Sequence, residues 1–414
     1  MKKKITETVV GVVAEYNPFH NGHALHLSRI RELSGSDVPI VVTLSSSFAQ
    51  RGLPTLADKW TRTRMALANG ADLVTELPFA YACNGGMEFA RGAVDILAAT
   101  NFVTHLSFGM ERFSDSAQLA DPDRTIDTIL SILIQEPLSF KLNLKKNLAQ
   151  GQSYPKSVAG ALEQELPGAG ALISSPNNSL AISYLLHARR KNYRLAALPV
   201  RREGSAYHDL TESSLASATA IRLALQRKQT WIEKAVPASS LALLRREEQC
   251  GRLCLETEKL WLLLRGLLSR STPEELRRCA GMDEGLENLF LKHYARADAY
   301  DDFIGRCVSA RYTRSRLQRQ TIRLLMGLNR WTAAALSRCS PPYIRLLGYN
   351  ERGRALLHAR AKNSSVPLIT RLGAANGAVA RTAADLEFRA SRFRELLLPC
   401  PDLTFEERQK PIGP

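Results

Sequence analysis

The run Val9-Val10-Gly11-Val12-Val13-Ala14 has the length and β-branched content of a buried strand, and it stops at the polar segment Glu15-Tyr16-Asn17-Pro18. Beyond the turn, Ala24-Leu25-His26-Leu27-Ser28-Arg29-Ile30 has the apolar spacing of the first turns of an amphipathic helix. A strand passing directly into a helix is the unit of an α/β fold, and it recurs. Residues 38–44 read as a second strand, 60–69 as a helix closed by Gly70, 71–78 as a third strand, 104–109 as a fourth and 195–200 as a short fifth. The first half is therefore expected to form a parallel sheet with helices, with ligands outside the carboxyl ends of the strands.

His20-Asn21-Gly22-His23 falls where this pattern puts a helix N-terminus. Unpaired backbone N–H groups and the positive end of the helix dipole favour an anion there, and Gly22 offers a backbone without a Cβ. A neutral imidazole supplies one N–H donor and a charged one two. A pair spaced His-x-Gly-His can thus grip phosphate oxygens and stabilise charge that builds during phosphoryl or nucleotidyl transfer. Two other readings compete: ordinary surface or helix-capping histidines, and a metal site. His20, His23 and His26 could face one way at helical spacing, but no Cys, Asp or Glu close by completes a zinc set, so no metal site is expected.

The chain of 414 residues is long enough for two or three domains and carries a formal net charge of +16. Residues 1–210 hold 22 Lys and Arg against 19 Asp and Glu, whereas residues 211–414 hold 34 against 21. That excess in the second half implies a polyanionic partner, nucleic acid ahead of a membrane surface; solvated arginines alone are the competing explanation. The seven cysteines are odd in number, scattered and without a Cys-x-x-Cys pair, which suits reduced thiols in the cytosol. No apolar span approaches the ~20 residues of a transmembrane helix, and Thr6-Glu7-Thr8 interrupts the apolar run a signal peptide would need after Met1-Lys2-Lys3-Lys4. A soluble, cytoplasmic protein without a membrane partner is expected.

Further along, Ser174-Ser175-Pro176-Asn177-Asn178 reads as a loop capping a helix, with Asn177 and Asn178 as plain N-cap residues in the bland reading. The strand over 195–200 runs into Arg201-Arg202-Glu203-Gly204, where an arginine is well placed for phosphate or base contact. Past residue 215 the text turns to Leu- and Arg-rich helical segments with little that reads as strand. Within a helix expected from Tyr312 to Arg330, Arg316, Arg319, Arg323 and Arg330 fall close to one face and Leu317, Leu324, Leu325 and Leu328 supply an apolar side. Arg316, Arg319 and Arg323 are accordingly candidates for RNA phosphates, a solvated basic face being the alternative.

A set of ordered motifs carries a family resemblance: V-x-E-Y-N-P-F-H-N-G-H, Gln50-Arg51-Gly52, Asp58-Lys59-Trp60, Asp72-Leu73-Val74-x-Glu76-Leu77-Pro78, Phe108-Gly109, Pro176-Asn177-Asn178, Tyr207-His208-Asp209 and Ala216-Ser217-Ala218-Thr219-Ala220-Ile221-Arg222. In this the chain resembles the tRNA(Met) cytidine acetate ligases, within the wider His-x-Gly-His nucleotidyltransferases. It departs from their pattern at Ser46-Ser47, Met110 and Ala181, where the family has Gly then Asn or His, Ser, and Gly.

The resemblance implies a Rossmann-like nucleotidyltransferase domain over 1–215 and a basic, mainly helical, tRNA-binding domain over 216–414. It implies ATP-dependent N4-acetylation of the wobble cytidine of elongator tRNA(Met), with acetate as co-substrate. Mg²⁺ is expected to arrive on the phosphates of ATP, since the sequence shows no dedicated carboxylate cage for it. Similarity places ATP along Val13, Ala14, Glu15, Tyr16, Asn17, Pro18, Phe19, His20, Asn21, Gly22, His23 and His26, with Gly109, Asn177 and Arg202 completing the site and His20 and His23 catalytic. Arg51, Lys59 and Asn178 are weaker candidates, the first two for pyrophosphate or acetate. The rival readings are another adenylyltransferase of this fold acting on a small metabolite, which leaves the basic second half without a purpose, and a non-catalytic tRNA-binding protein, which leaves His20 and His23 without one.

Overall fold

The computed structural model of the chain describes residues 8–111, 121–202 and 214–414. Met1 to Lys4, Thr6-Glu7, Gly204 and the motif Tyr207-His208-Asp209 lie outside the described residues. The five runs expected as strands form β1 (Val10–Ala14), β2 (Ile40–Ser45), β3 (Leu73–Leu77), β4 (His105–Met110) and β5 (Ala196–Arg201), all paired in parallel. Two more strands come from the second half: β6 (Ile344–Tyr349), antiparallel to β3, and β7 (Leu368–Ile369), parallel to β6. The sheet order is β5-β4-β1-β2-β3-β6-β7.

The sheet is covered on both faces because side chains alternate along a strand. Val10, Val12, Ile40, Val42 and Leu44 pack with Leu27 and Ile30 of the helix Asn21–Ser34 and with Trp60 and Met65 of the helix Lys59–Ala68. Val9, Val41, Leu73 and Leu77 face the other way, onto the helices Gly86–Ala99 and Pro176–Arg190. Full burial of one Val, Leu or Ile side chain contributes roughly 1.5–3 kcal/mol, so each inward pair is a strong register lock. A third core joins the helices beyond residue 257, among them Trp261, Phe290, Phe303 and Leu317, to Phe48 and Phe79 of the first half.

Strand is sparse past residue 215, as expected, but β6 joins the first-half sheet, which the sequence did not indicate. Arg345 stands in the middle of that strand yet is almost fully buried, its guanidinium paired with Glu76 (3.2 Å) and Glu406 (2.6 Å). Residues near the carboxyl end extend the same edge: Ile412 N donates to Leu347 O (2.9 Å) and Tyr349 N to Ile412 O (2.8 Å). The helix expected from Tyr312 to Arg330 is also two helices, Arg314–Leu325 and Arg330–Arg338, parted at Gly327, whose φ of +62° an α-helix does not accept. Arg330 therefore opens a second helix instead of continuing the face of Arg316, Arg319 and Arg323.

Candidate active site

β1 delivers the chain to the carboxyl edge of the sheet, and the turn after it is fixed from several sides. Gln50 N donates to Glu15 Oε1 (2.5 Å), Leu56 N donates to Asn17 Oδ1 (2.7 Å), and Arg222 Nη1 donates to Asn17 O (2.6 Å). Arg62, fully buried, donates to the carbonyls of Glu15 (2.6 Å), Ala57 (3.1 Å) and Ser46 and to Ser45 Oγ (3.3 Å); burial draws its pKa down to about 9. Tyr16 takes a φ of +45°, a region non-glycine residues rarely enter, with its ring edge-on to Phe19 (4.7 Å) and His23 (4.8 Å). The Asn17–Pro18 peptide is cis.

The capping role that the sequence left open for His20 is present. His20 is the N-cap of the helix Asn21–Ser34: its Nδ1 accepts from Gly22 N (3.1 Å), while His23 Nδ1 accepts from His20 N (3.2 Å). The two rings stack with centroids 3.7 Å apart. A ring nitrogen that accepts from a backbone N–H carries no proton, so in both neutral rings the proton sits on Nε2. Capping occupies one side of each imidazole and leaves the other as a donor. Burial, then Arg202 and Arg222, lower His20 to about 3; burial, His20, Arg202 and His26 lower His23; burial and Arg202 lower His26 to about 4. The pair is neutral at physiological pH, and the positive charge beside it belongs to the arginines. A Cβ at Gly22 would meet His20 Cε1 (3.0 Å) and Nδ1 (3.1 Å), so the glycine makes room for the His20 ring first.

The other wall comes from β4, β5 and the helix Pro176–Arg190. His26 Nε2 lies 3.0 Å from Ser107 Oγ on β4. Arg202, just after β5, donates from Nη1 to Asn177 Oδ1 (3.3 Å), and Asn177 Nδ2 donates to Glu111 Oε1 (2.8 Å). A Cβ at Gly109 would meet Arg202 Cγ (3.0 Å) and Cδ (3.3 Å), so Gly109 is the space in which the arginine stem lies. Asn178 is buried and accepts from Glu111 N (2.9 Å); neither asparagine caps the helix, whose N-cap is Ser175. Through Arg202 the structure brings His20, His23, His26, Gly109 and Asn177 together.

Several expected residues have other work. Asn21 Nδ2 donates to the carbonyls of Ser214 (3.0 Å) and Lys234 (2.8 Å), and Tyr16, Asn17, Pro18 and Phe19 are buried. Val13 and Ala14 are the last residues of β1. Lys59 is not brought to the histidines: its ammonium is held by Glu76, Glu387 (2.9 Å) and Glu406 (3.1 Å), which keep it protonated against the opposing effect of burial. Burial and Glu76 push Glu387 up to about 7. Ser46 and Ser47 are buried, and Ser47 Oγ lies 3.1 Å from Ser391 Oγ, so this departure faces the helix Ala378–Leu396.

Arg51 sits in the loop after β2, where it adds to the positive field on Arg319. Arg319 Nη1 donates to Gln50 O (3.4 Å) and Arg323 Nη2 to Asn84 Oδ1 (2.6 Å), while Arg316 pairs with Glu284 (3.4 Å). Two of the three arginines expected to offer themselves to RNA thus also bind first-half loops. Glu111, Ser107 and Arg62 carry no local sequence signal for their places in the site, whereas Arg222 falls within the run Ala216 to Arg222.

Residues 7–409 match a family model described as HIGH Nucleotidyl Transferase, in agreement with the sheet and with the turn that carries His20 and His23. The fold and site define a nucleotidyl transferase of that type. A tRNA(Met) cytidine acetate ligase of Lysinibacillus sphaericus is 37% identical over 382 residues, covering 89% of this chain and 91% of the relative, and one of Listeria monocytogenes is 38% identical over 364 residues, covering 87% and 88%. The crystal structure of Thermotoga maritima TmcAL in its apo form superposes with a TM-score of 0.89 at 28% identity over 98% of this chain and 99% of that one. The same protein bound with alpha-thio ATP gives a TM-score of 0.87 at 28% identity. The chain belongs to the tRNA(Met) cytidine acetate ligase family.

Proposed function

We propose that the protein is an ATP-dependent ligase that acetylates N4 of the wobble cytidine of elongator tRNA(Met) with acetate. Acetate oxygen attacks the α-phosphorus of ATP, the bond to the β-phosphate oxygen breaks, and acetyl-adenylate and pyrophosphate form. The cytidine amine then attacks the acetyl carbonyl, loses a proton and expels AMP. The observation that carries this reading is the locking of both histidines by their Nδ1 atoms, which turns two neutral Nε2–H donors out of the turn next to Arg202. Such donors act on charge that develops at phosphate oxygens without having to reorganise.

In this reading Gly109, Asn177 and Arg202 hold the nucleotide, and the remaining backbone of 13–26 shapes its seat. Mg²⁺ enters on the phosphates and neutralises part of their charge. Glu15 and Glu111, the carboxylates at the strand ends, already accept from Gln50 N and from Ser175 and Asn177, so the phosphates would supply most of its ligands. Residues 1–215 would form the catalytic part and 216–414 the basic part that binds tRNA, in the cytoplasm. Among the described residues no helix is long and apolar enough to cross a membrane.

The test is transfer of label from [¹⁴C]acetate to unmodified elongator tRNA(Met), with and without ATP, for the native chain and a His20→Asn, His23→Gln double variant. The introduced asparagine keeps an oxygen that can cap the helix. We expect ATP-dependent labelling that falls by at least ~10²-fold in the variant, the usual effect of removing one preorganised donor. Labelling without ATP, or undiminished in the variant, refutes the assignment of these roles.

A further inference from the structure

A cleft of about 360 Å³ lies between the helix Gly86–Ala99 and the helices Arg314–Leu325 and Arg330–Arg338. That size is at the lower end of small-molecule sites, ~300–1,000 Å³. Its lining carries three guanidinium groups, Arg91, Arg323 and Arg330, and one carboxylate, Glu88. Glu88 is matched by Arg91 (2.8 Å), which also donates to the carbonyls of Cys339 (3.0 Å) and Leu336 (3.4 Å). Arg323 spends Nη2 on Asn84, and its buried Nε has no partner among the described residues. Arg330 is 46% exposed; its Nη2 donates to Arg277 O, and Asp283 lies 3.7 Å away. Ala80, Leu328 and Leu336 make the wall apolar between these charges.

Trp331, next to Arg330 on the same helix, is 79% exposed. Trp331 lies outside the lining itself, but an exposed indole on the helix that supplies Arg330 gives this face the composition of a single-stranded nucleic-acid platform, in which aromatic faces take bases and arginines take phosphates. The cleft is tied to the nucleotide turn by a short chain of contacts. Arg319, one turn before Arg323, donates to Gln50 O (3.4 Å), and Gln50 N donates to Glu15 (2.5 Å) at the end of β1. Neither the alternating sheet nor the histidine pair explains an apolar slot rimmed by arginines on this side.

We propose that this cleft receives one unstacked nucleotide of the RNA substrate, its base against the apolar wall and its phosphate on Arg323 and Arg330, while Trp331 carries an adjoining base. The proposal rests on RNA being the acceptor of the reaction. It makes the cleft an RNA subsite separate from the ATP seat, and it gives Arg323 a ligand as well as an internal partner.

The test uses the full chain, unmodified elongator tRNA(Met) transcript and cytidine monophosphate as probes. Ala334 is an exposed helix residue of the lining, so Ala334→Trp fills the cleft without changing charge. Trp331→Ala removes the platform and Arg330→Gln one phosphate contact. We expect Ala334→Trp and Trp331→Ala each to raise the tRNA Kd about tenfold at an unchanged salt slope. Arg330→Gln should weaken binding and lower the slope of log K against log salt by about 0.7. Acetate-dependent ATP–pyrophosphate exchange should stay within twofold in all three. Unchanged tRNA affinity in both Ala334→Trp and Trp331→Ala overturns the proposal. So does loss of cytidine monophosphate binding in Ala334→Trp with tRNA unaffected, which would make the cleft a small-anion site. Native protein that exchanges pyrophosphate yet binds no tRNA fails at the acceptor, and the functional reading falls with it.

Discussion

Lowering the pH from 7 to 5 should destabilise this protein through its histidine turn. His20 is buried and titrates at about 3, whereas an unfolded histidine titrates at about 6.5. Between those values the unfolded chain binds a proton that the folded chain refuses. Stability is therefore complete above about pH 6.5 and falls as the pH drops towards 3, at about 1.4 kcal/mol per pH unit for one such group. At pH 5, about 1.5 units below the unfolded value, His20 alone accounts for about 2 kcal/mol. His23 and His26 act in the same direction. The assay is urea unfolding of the native chain and of His20→Asn at pH 7 and pH 5. Asparagine does not titrate and can still cap, so its effect at pH 7 sets the baseline. The native chain should lose about 2 kcal/mol more than the variant between the two pH values. Equal losses would mean that His20 takes up its proton in the fold as readily as in the unfolded chain, and the neutral-donor reading of the pair would be wrong.

Lys59→Met should lower the unfolding free energy by about 3–5 kcal/mol, because it leaves Glu76, Glu387 and Glu406 facing Arg345 alone. The KM for acetate in pyrophosphate exchange should stay within about twofold, and a large rise in KM with normal stability would return Lys59 to the site. Gly109→Ala sets a Cβ 3.0 Å from Arg202 Cγ and should raise the KM for ATP several-fold with little change in the thermal midpoint. An unaltered KM would refute the proposed contact between Arg202 and ATP.

The parallel strands were legible because a strand buried on both faces is a nearly continuous apolar run, as Val9 to Ala14 and Ile40 to Leu44 are. β6 was not, since its Arg345 looks like one more surface arginine until Glu76, 269 positions earlier, is seen beside it. Lys59 misled for the same reason: charge in a sequence says nothing about partners far along the chain. The histidine turn was readable as chemistry, but its protonation was not. That depends first on burial, then on Arg202 and on which nitrogen the backbone occupies, none of which has a sequence signature. Met326-Gly327 is a local stop signal inside a long basic pattern, and it separates Arg330 from the helix of Arg316.

The edge of the sheet closed by β6 sets an order on how the chain can be completed as it leaves the ribosome. β1 to β5 have all been made by residue 201, but the outer edge of β3 finds its hydrogen-bonding partner only at residues 344–349. Until then Glu76 and Lys59 lack Arg345, Glu387 and Glu406, the distant members of their ion network. For well over a hundred codons the nascent chain therefore exposes an open β edge beside a half-assembled set of charges. The strand that would shield it is drawn from the half whose character is otherwise helical, so the two halves mature together and not in succession.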